Sequence, residues 1–206
     1  MSRAYTLACY KAFGYKFIDE NFLNKVCFFE SLDELNECVK TCELCNLSKS
    51  RTKVLNLSQN SAKIMVVFDN PSKAQDESGD VFASKEVVEF RESLIKIAKL
   101  DEVYFTFLVK CRAPKNGTLE DEYIEKCSPY LFEEIDKVKP KLILSMGEVV
   151  TKALLKTNLN LDVTHGSVFR YQNSLVMPLY DLKFVLTNPS KKEFLLEDIK
   201  KIKELV

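Results

Sequence analysis

The apolar positions of the chain fall into short continuous runs separated by longer stretches with helical spacing. The runs KIMVVF (Lys63–Phe68), VYFTFLV (Val103–Val109), KLILSM (Lys141–Met146) and KFVLT (Lys183–Thr187) each predict a strand. Amphipathic helices are predicted over Lys85–Leu100, Glu120–Lys139, Glu148–Lys156 and Lys192–Val206, where apolar residues return every three or four positions. Ser31-Leu32-Asp33-Glu34 has capping-box spacing, which predicts a helix from about Leu32 into the CELC segment. Residues 1–30, rich in Phe and Tyr at helical spacing, predict a packed N-terminal helical extension. Alternation of strands and helices over residues 31–206 predicts a single three-layer α/β domain with a mostly parallel central sheet and helices on both faces. Such sheets bind ligands outside the carboxyl ends of their strands, here Asp69, Phe107 to Cys111, Met146-Gly147 and Asn188.

Composition narrows the chemistry. At 206 residues and 46% hydrophobic content, the chain can bury one substantial core. Lys plus Arg and Asp plus Glu both total 30, so attraction to nucleic acid has to come from a local basic face. Apolar runs fall short of the roughly 18 to 20 residues that span a bilayer, and Lys11, Lys16, Asp19 and Glu20 interrupt the N-terminus. A soluble, cytoplasmic, monomeric protein without a membrane partner is expected. His165 is the only histidine and Trp is absent, which excludes a multi-histidine metal site.

Seven cysteines, at positions 9, 27, 38, 42, 45, 111 and 127, are an odd number without a secretory signal, which argues against a disulfide framework. Cys42 and Cys45 form a C-x2-C pair; Cys111 and Cys127 lie sixteen positions apart, across a turn and the start of a helix. Buried free cysteine accounts well for Cys9 and Cys27, because a free thiol packs as a small hydrophobe. Four converging thiolates suit Zn²⁺ and an iron-sulfur cluster equally, so spacing alone leaves both open.

The residues around these cysteines resemble a known family. Val109-Lys110-Cys111-Arg112-Ala113-Pro114-Lys115-Asn116, with Glu122 and Cys127, is similar to the VKCRPPxN...E...C signature of the family-four uracil-DNA glycosylases. Cys42-Glu43-Leu44-Cys45-Asn46-Leu47 with Arg51 resembles that family's CxxCxLxxxR motif, and Leu142 to Glu148 its ILxLG segment. His165-Gly166 falls where the family has Arg-Gly. The resemblance spans roughly Ser31 to Ser190 and implies a [4Fe-4S] cluster on Cys42, Cys45, Cys111 and Cys127, with DNA as partner.

The resemblance also implies a pocket, in which this chain departs from the pattern. The family's GEAPG loop, whose acidic residue is thought to position the attacking water or stabilise the sugar cation, reads Phe68-Asp69-Asn70-Pro71-Ser72 here. Asp69 keeps a carboxylate. Phe82 matches the aromatic on which a flipped base stacks. Phe107 replaces the asparagine that reads uracil, and Asn188 replaces the histidine that stabilises the departing uracil anion. The expected roles are therefore catalysis by Asp69 and Asn188, and base contact by Phe82, Phe107 and Asn70. DNA contact is expected from Ser190, Lys191 and Lys192, with Lys110 and Arg112 near the same strand ends. Plainer roles exist for each: a turn cap for Asp69, core packing for Phe82 and Phe107, a solvated helix start for Lys191 and Lys192, a turn for His165. Losing one transition-state donor costs about 3 to 4 kcal/mol of barrier, so slow uracil excision is expected. Base excision from DNA, a catalytically inactive glycosylase-like module and a non-DNA metal-binding protein on the same fold are the three functions these features allow.

Overall fold

The computed structural model describes residues 12–14, 29–53, 62–114 and 119–205. Most of the expected N-terminal extension lies outside them, apart from Phe13, whose ring meets Tyr130 edge-on at 4.6 Å, and the residues from Phe29 onward.

Five strands form the sheet: β1 (Ile64–Phe68), β2 (Val103–Phe107), β3 (Leu142–Met146), β4 (Phe169–Tyr171) and β5 (Ser174–Leu179), in the order β2-β1-β3-β5-β4. β1 pairs in parallel with β2 and β3, and β3 with β5; only the β4–β5 pair is antiparallel. The β1, β2, β3 and β5 runs are apolar at nearly every position because both faces of the sheet are covered. Ile64, Val66, Phe68, Phe105, Leu144 and Met177 point into one core layer. Met65, Val67, Tyr104, Ile143 and Val176 point into the other.

The first layer is closed by α4 (Lys85–Ser93), which continues as a π-turn over Leu94–Ala98, and by α9 (Lys191–Ile202); Phe90, Leu94, Leu195 and Ile199 are their buried contacts. The second is closed by α1 (Leu32–Lys40), α5 (Asp121–Val138) and α6 (Glu148–Leu155), through Leu35, Val39, Leu131, Ile135 and Leu154. Short helices α2 (Leu47–Ser50), α3 (Lys73–Ser78), α7 (Leu161–Thr164) and α8 (Leu182–Thr187) complete the described residues. The three-layer α/β architecture is the expected one.

Three local expectations are corrected. Lys183–Thr187 is helical, not a strand: Leu182 and Val185 are buried three residues apart while Phe184 and Leu186 are exposed, which is helical periodicity. The missing strand is Ser174–Leu179, which carries Pro178. Pro178 is tolerated because β4 pairs only with residues 174–176, so that ladder has ended before the absent N–H is needed. The helix opening at Leu32 stops at Lys40, before the CELC segment. Ser31 Oγ accepts from Glu34 N at 3.1 Å as expected, but the Glu34 carboxylate accepts from Glu30 N and not from the cap residue.

The order in which strands are added reverses at β1: β2 lies on one side of it and β3 on the other. That reversal opens a crevice outside the carboxyl ends of β1 and β3.

Candidate functional site

Two sites share one stretch of backbone, Phe107 to Cys111, which follows β2. Its main chain is held to the loop after β1 by Leu108 N to Phe68 O at 2.8 Å and Val109 N to Asp69 O at 2.9 Å.

On one side of the stretch, Cys42, Cys45, Cys111 and Cys127 line a single cavity with Val39, Leu44, Val109 and Tyr130. Cys111 and Cys127 are buried and Cys42 and Cys45 half-buried. Two donors aim at the sulfurs: Lys110 N at Cys127 Sγ (3.2 Å) and Arg51 Nη1 at Cys111 Sγ (3.9 Å). Arg51 also donates to Val39 O at 3.2 Å and Lys40 O at 2.5 Å, clamping the open carbonyl end of α1 against the cysteine segment. Burial pushes the Cys127 thiol up to about 12 and the Cys111 thiol up to about 11, the latter against the pull of Arg51. Among the described residues, no three Cys, His, Asp or Glu side chains converge closely enough to hold a single metal ion.

Beneath the stretch, Lys110 is buried rather than facing DNA. Its Nζ donates to Glu134 Oε2 and Thr106 Oγ1, both at 2.7 Å, and to Phe107 O at 2.8 Å. Thr106 Oγ1 donates to the same Glu134 oxygen. Burial raises the Glu134 carboxyl above its ordinary range, opposed by Lys110.

On the other side of the stretch lies a cleft of about 130 Å³ at the strand ends. It is lined by Phe68 at the end of β1 with Asp69 and Asn70 after it, Phe107 at the end of β2, Ser84 and Glu86 at the start of α4, and Asp181 and Lys183 after β5. Asp69 Oδ1 accepts from Asn70 N at 2.6 Å and faces Lys183 Nζ at 3.5 Å. Burial and the Asp69 charge hold the Asp181 carboxyl above its usual value, against Lys183. Gly147, at φ 89°, ends β3 beside it; a Cβ there would stand 3.2 Å from the Asp181 Cβ. Glu86 is held below its usual range, chiefly by the Ser84 hydroxyl.

The structure thus brings Asp69, Asn70 and Phe107 together. It places Phe82 outside the cleft lining, packed edge-on against Phe105 at 5.3 Å, with Arg91 over its ring at 4.9 Å. Asn188 caps α8, its Nδ2 donating to Phe184 O at 2.9 Å and to Thr187 Oγ1 at 3.0 Å. Lys191 is engaged with Asp162 Oδ1 at 2.6 Å and Tyr180 OH at 3.2 Å, whereas Ser190 and Lys192 stand at the start of α9. Arg112 lies 3.7 Å from the buried Asp76, and His165 pairs with the buried Asp198 at 2.6 Å. Glu86, Asp181 and Lys183 were not anticipated. Asp181 lies two residues beyond the true fifth strand, so placing that strand correctly would have found it.

The family model for the uracil DNA glycosylase superfamily matches residues 55–203, and the chain belongs to that superfamily. Within it, the chain is a divergent member of the type-4 branch. It is 32% identical over 188 residues to the type-4 uracil-DNA glycosylase of Sulfurisphaera tokodaii, covering 85% of each chain. To that of Saccharolobus solfataricus it is 30% identical over 187 residues, covering 85% of this chain and 86% of the relative. The Archaeoglobus fulgidus type-4 enzyme is 28% identical over 187 residues.

Proposed function

We propose that this chain is an iron-sulfur DNA glycosylase: it binds DNA at the strand ends and hydrolyses the N-glycosidic bond of a damaged base through Asp69. The observation that carries the reading is the position of Asp69, at the switch point of the sheet, in a cleft, with one carboxylate oxygen tied to Asn70 N and Lys183 beside it. A carboxylate held there can accept a proton from attacking water or stabilise positive charge on the sugar carbon as the base departs. Glu86 and Asp181 add to that field. Phosphate contact is assigned to Lys192 and Ser190 at the N-terminus of α9, with Lys191 available only by leaving Asp162.

Cys42, Cys45, Cys111 and Cys127 are the proposed ligands of a [4Fe-4S] cluster. The donor set fits: four thiols on one cavity wall, apolar neighbours, and N–H groups aimed at two of the sulfurs. Four thiolates suit a single zinc as well, and the resemblance of the two cysteine motifs to the type-4 family is what favours the cluster. Bound there, the cluster would join the α1–α2 loop to the Phe107–Cys111 stretch and to α5, and so brace the cleft.

A binding module without catalysis is the second reading, favoured by Asn188, whose amide is spent on capping α8. Single-turnover release of bases from DNA separates the two. Release of some damaged base, abolished in Asp69→Asn with DNA binding intact, supports the glycosylase; salt-sensitive binding with no release of any base supports the module.

A further inference from the structure

We propose that the cleft selects a cationic base, an N-alkylated purine, over neutral uracil; this rests on the glycosylase reading above. Three features of the cleft carry it.

The first is an unused acceptor. Asn70 is 6% exposed and lines the cleft; its Nδ2 donates to Pro71 O at 3.1 Å, which fixes the amide, and its Oδ1 is buried without a hydrogen bond. A buried carbonyl left in that state favours a ligand that brings an N–H. Of the neighbouring polar groups, Gln75 spends Nε2 on Val81 O and Oε1 on Ser72 N, and the Ser84 hydroxyl is given to Glu86.

The second is charge. Asp69, Glu86 and Asp181 line the cleft against one ammonium, Lys183, which is already drawn to Asp69. The walls between them are the Phe68 and Phe107 rings, 5.7 Å apart. An excess of carboxylates over ammonium groups attracts a cation. They oppose the build-up of negative charge on a departing base.

The third is the leaving group. Uracil departs as an anion and needs a donor, but the Asn188 amide is committed to Phe184 O and Thr187 Oγ1. A purine alkylated on a ring nitrogen is already positive. When its C1′–N9 bond breaks, the electron pair passes to N9 and the base leaves neutral; water forms the new bond to C1′, and its proton passes to the Asp69 carboxylate. No anion-stabilising group is required.

The test uses the full chain purified without oxygen and oligonucleotides carrying one 7-methylguanine, one uracil or one hypoxanthine, with the free base quantified by mass spectrometry against spontaneous release. Methylpurine release should exceed both the spontaneous rate and uracil release by about tenfold or more, the size of effect a specific polar site provides. Asp181→Asn and Asn70→Ala, each checked for folding by circular dichroism, should both reduce the ratio of methylpurine to uracil release. Uracil or hypoxanthine released as fast as the methylpurine would overturn this inference and leave the glycosylase reading standing. Release of no base would overturn both.

Discussion

Lys110 and Glu134 form a buried ion pair, Nζ to Oε2 at 2.7 Å, directly under the backbone that separates the cleft from the cysteine cavity. Twenty-four residues apart in sequence, they anchor the Phe107–Cys111 stretch to the C-terminal part of α5. Removing one partner leaves an uncompensated charge in the core, which typically costs about 3 to 5 kcal/mol. Lys110→Met should therefore unfold at markedly lower urea, and adding Glu134→Leu should recover much of the loss. A neutral Lys110→Met in equilibrium denaturation would contradict the pairing.

Arg51 holds Val39 O, Lys40 O and Cys111 Sγ at once. Arg51→Ala should lose about 1 kcal/mol from the missing hydrogen bonds and lower the iron content of purified protein. Arg51→Lys should not restore either, because a single ammonium cannot reproduce the fork of a guanidinium. Full iron retention in both variants would show that the clamp is dispensable.

Asp181 gives a pH dependence with a definite sign. Its folded carboxyl is raised above the ordinary 3.8, by burial first and the Asp69 charge second. A raised folded value means that folding favours the protonated form: the stabilising contribution is complete below 3.8 and is lost as pH rises through the folded value. Asp181→Asn, which mimics the protonated side chain, should thus be at least as stable as the parent at pH 7. That advantage should vanish near pH 3.5. Denaturant melts at the two pH values decide it, and an advantage confined to the acid side would contradict the assignment.

The sequence carried the layered fold well, because apolar runs at β1, β2 and β3 report a sheet buried on both faces. It failed where one element was short and another broke a rule. KFVLT is apolar enough for a strand, yet its burial has helical spacing; Ser174–Leu179 contains a proline that argues against a strand, a penalty removed by the early end of β4. The error at the fifth strand hid Asp181 and Lys183. The cysteines and Asp69 were legible from spacing and from family resemblance. The partners of Lys110 and Lys191 were not, since Glu134 and Asp162 reach them only through the folded chain; the Asn188 cap is local but depends on Lys183–Thr187 being a helix.

Those partners bear on DNA binding. Lys192 and Lys183 are exposed, while Lys191 is held by Asp162. Lys192→Ala should reduce affinity and flatten the slope of log affinity against log salt by about one, and Lys183→Ala, which removes an ammonium drawn to Asp69, should change it less. Lys191→Ala should also change that slope less. Fluorescence anisotropy across a salt series measures all three, and equal slopes for every variant would contradict phosphate contact at this edge.

Whether the four thiols hold a [4Fe-4S] cluster is decided by iron and acid-labile sulfide determination on protein purified without oxygen. The expected result is about four irons and four sulfides per chain with a broad absorption at roughly 400 nm, lost in Cys111→Ser. Stoichiometric zinc with no iron in the anaerobic protein would contradict it.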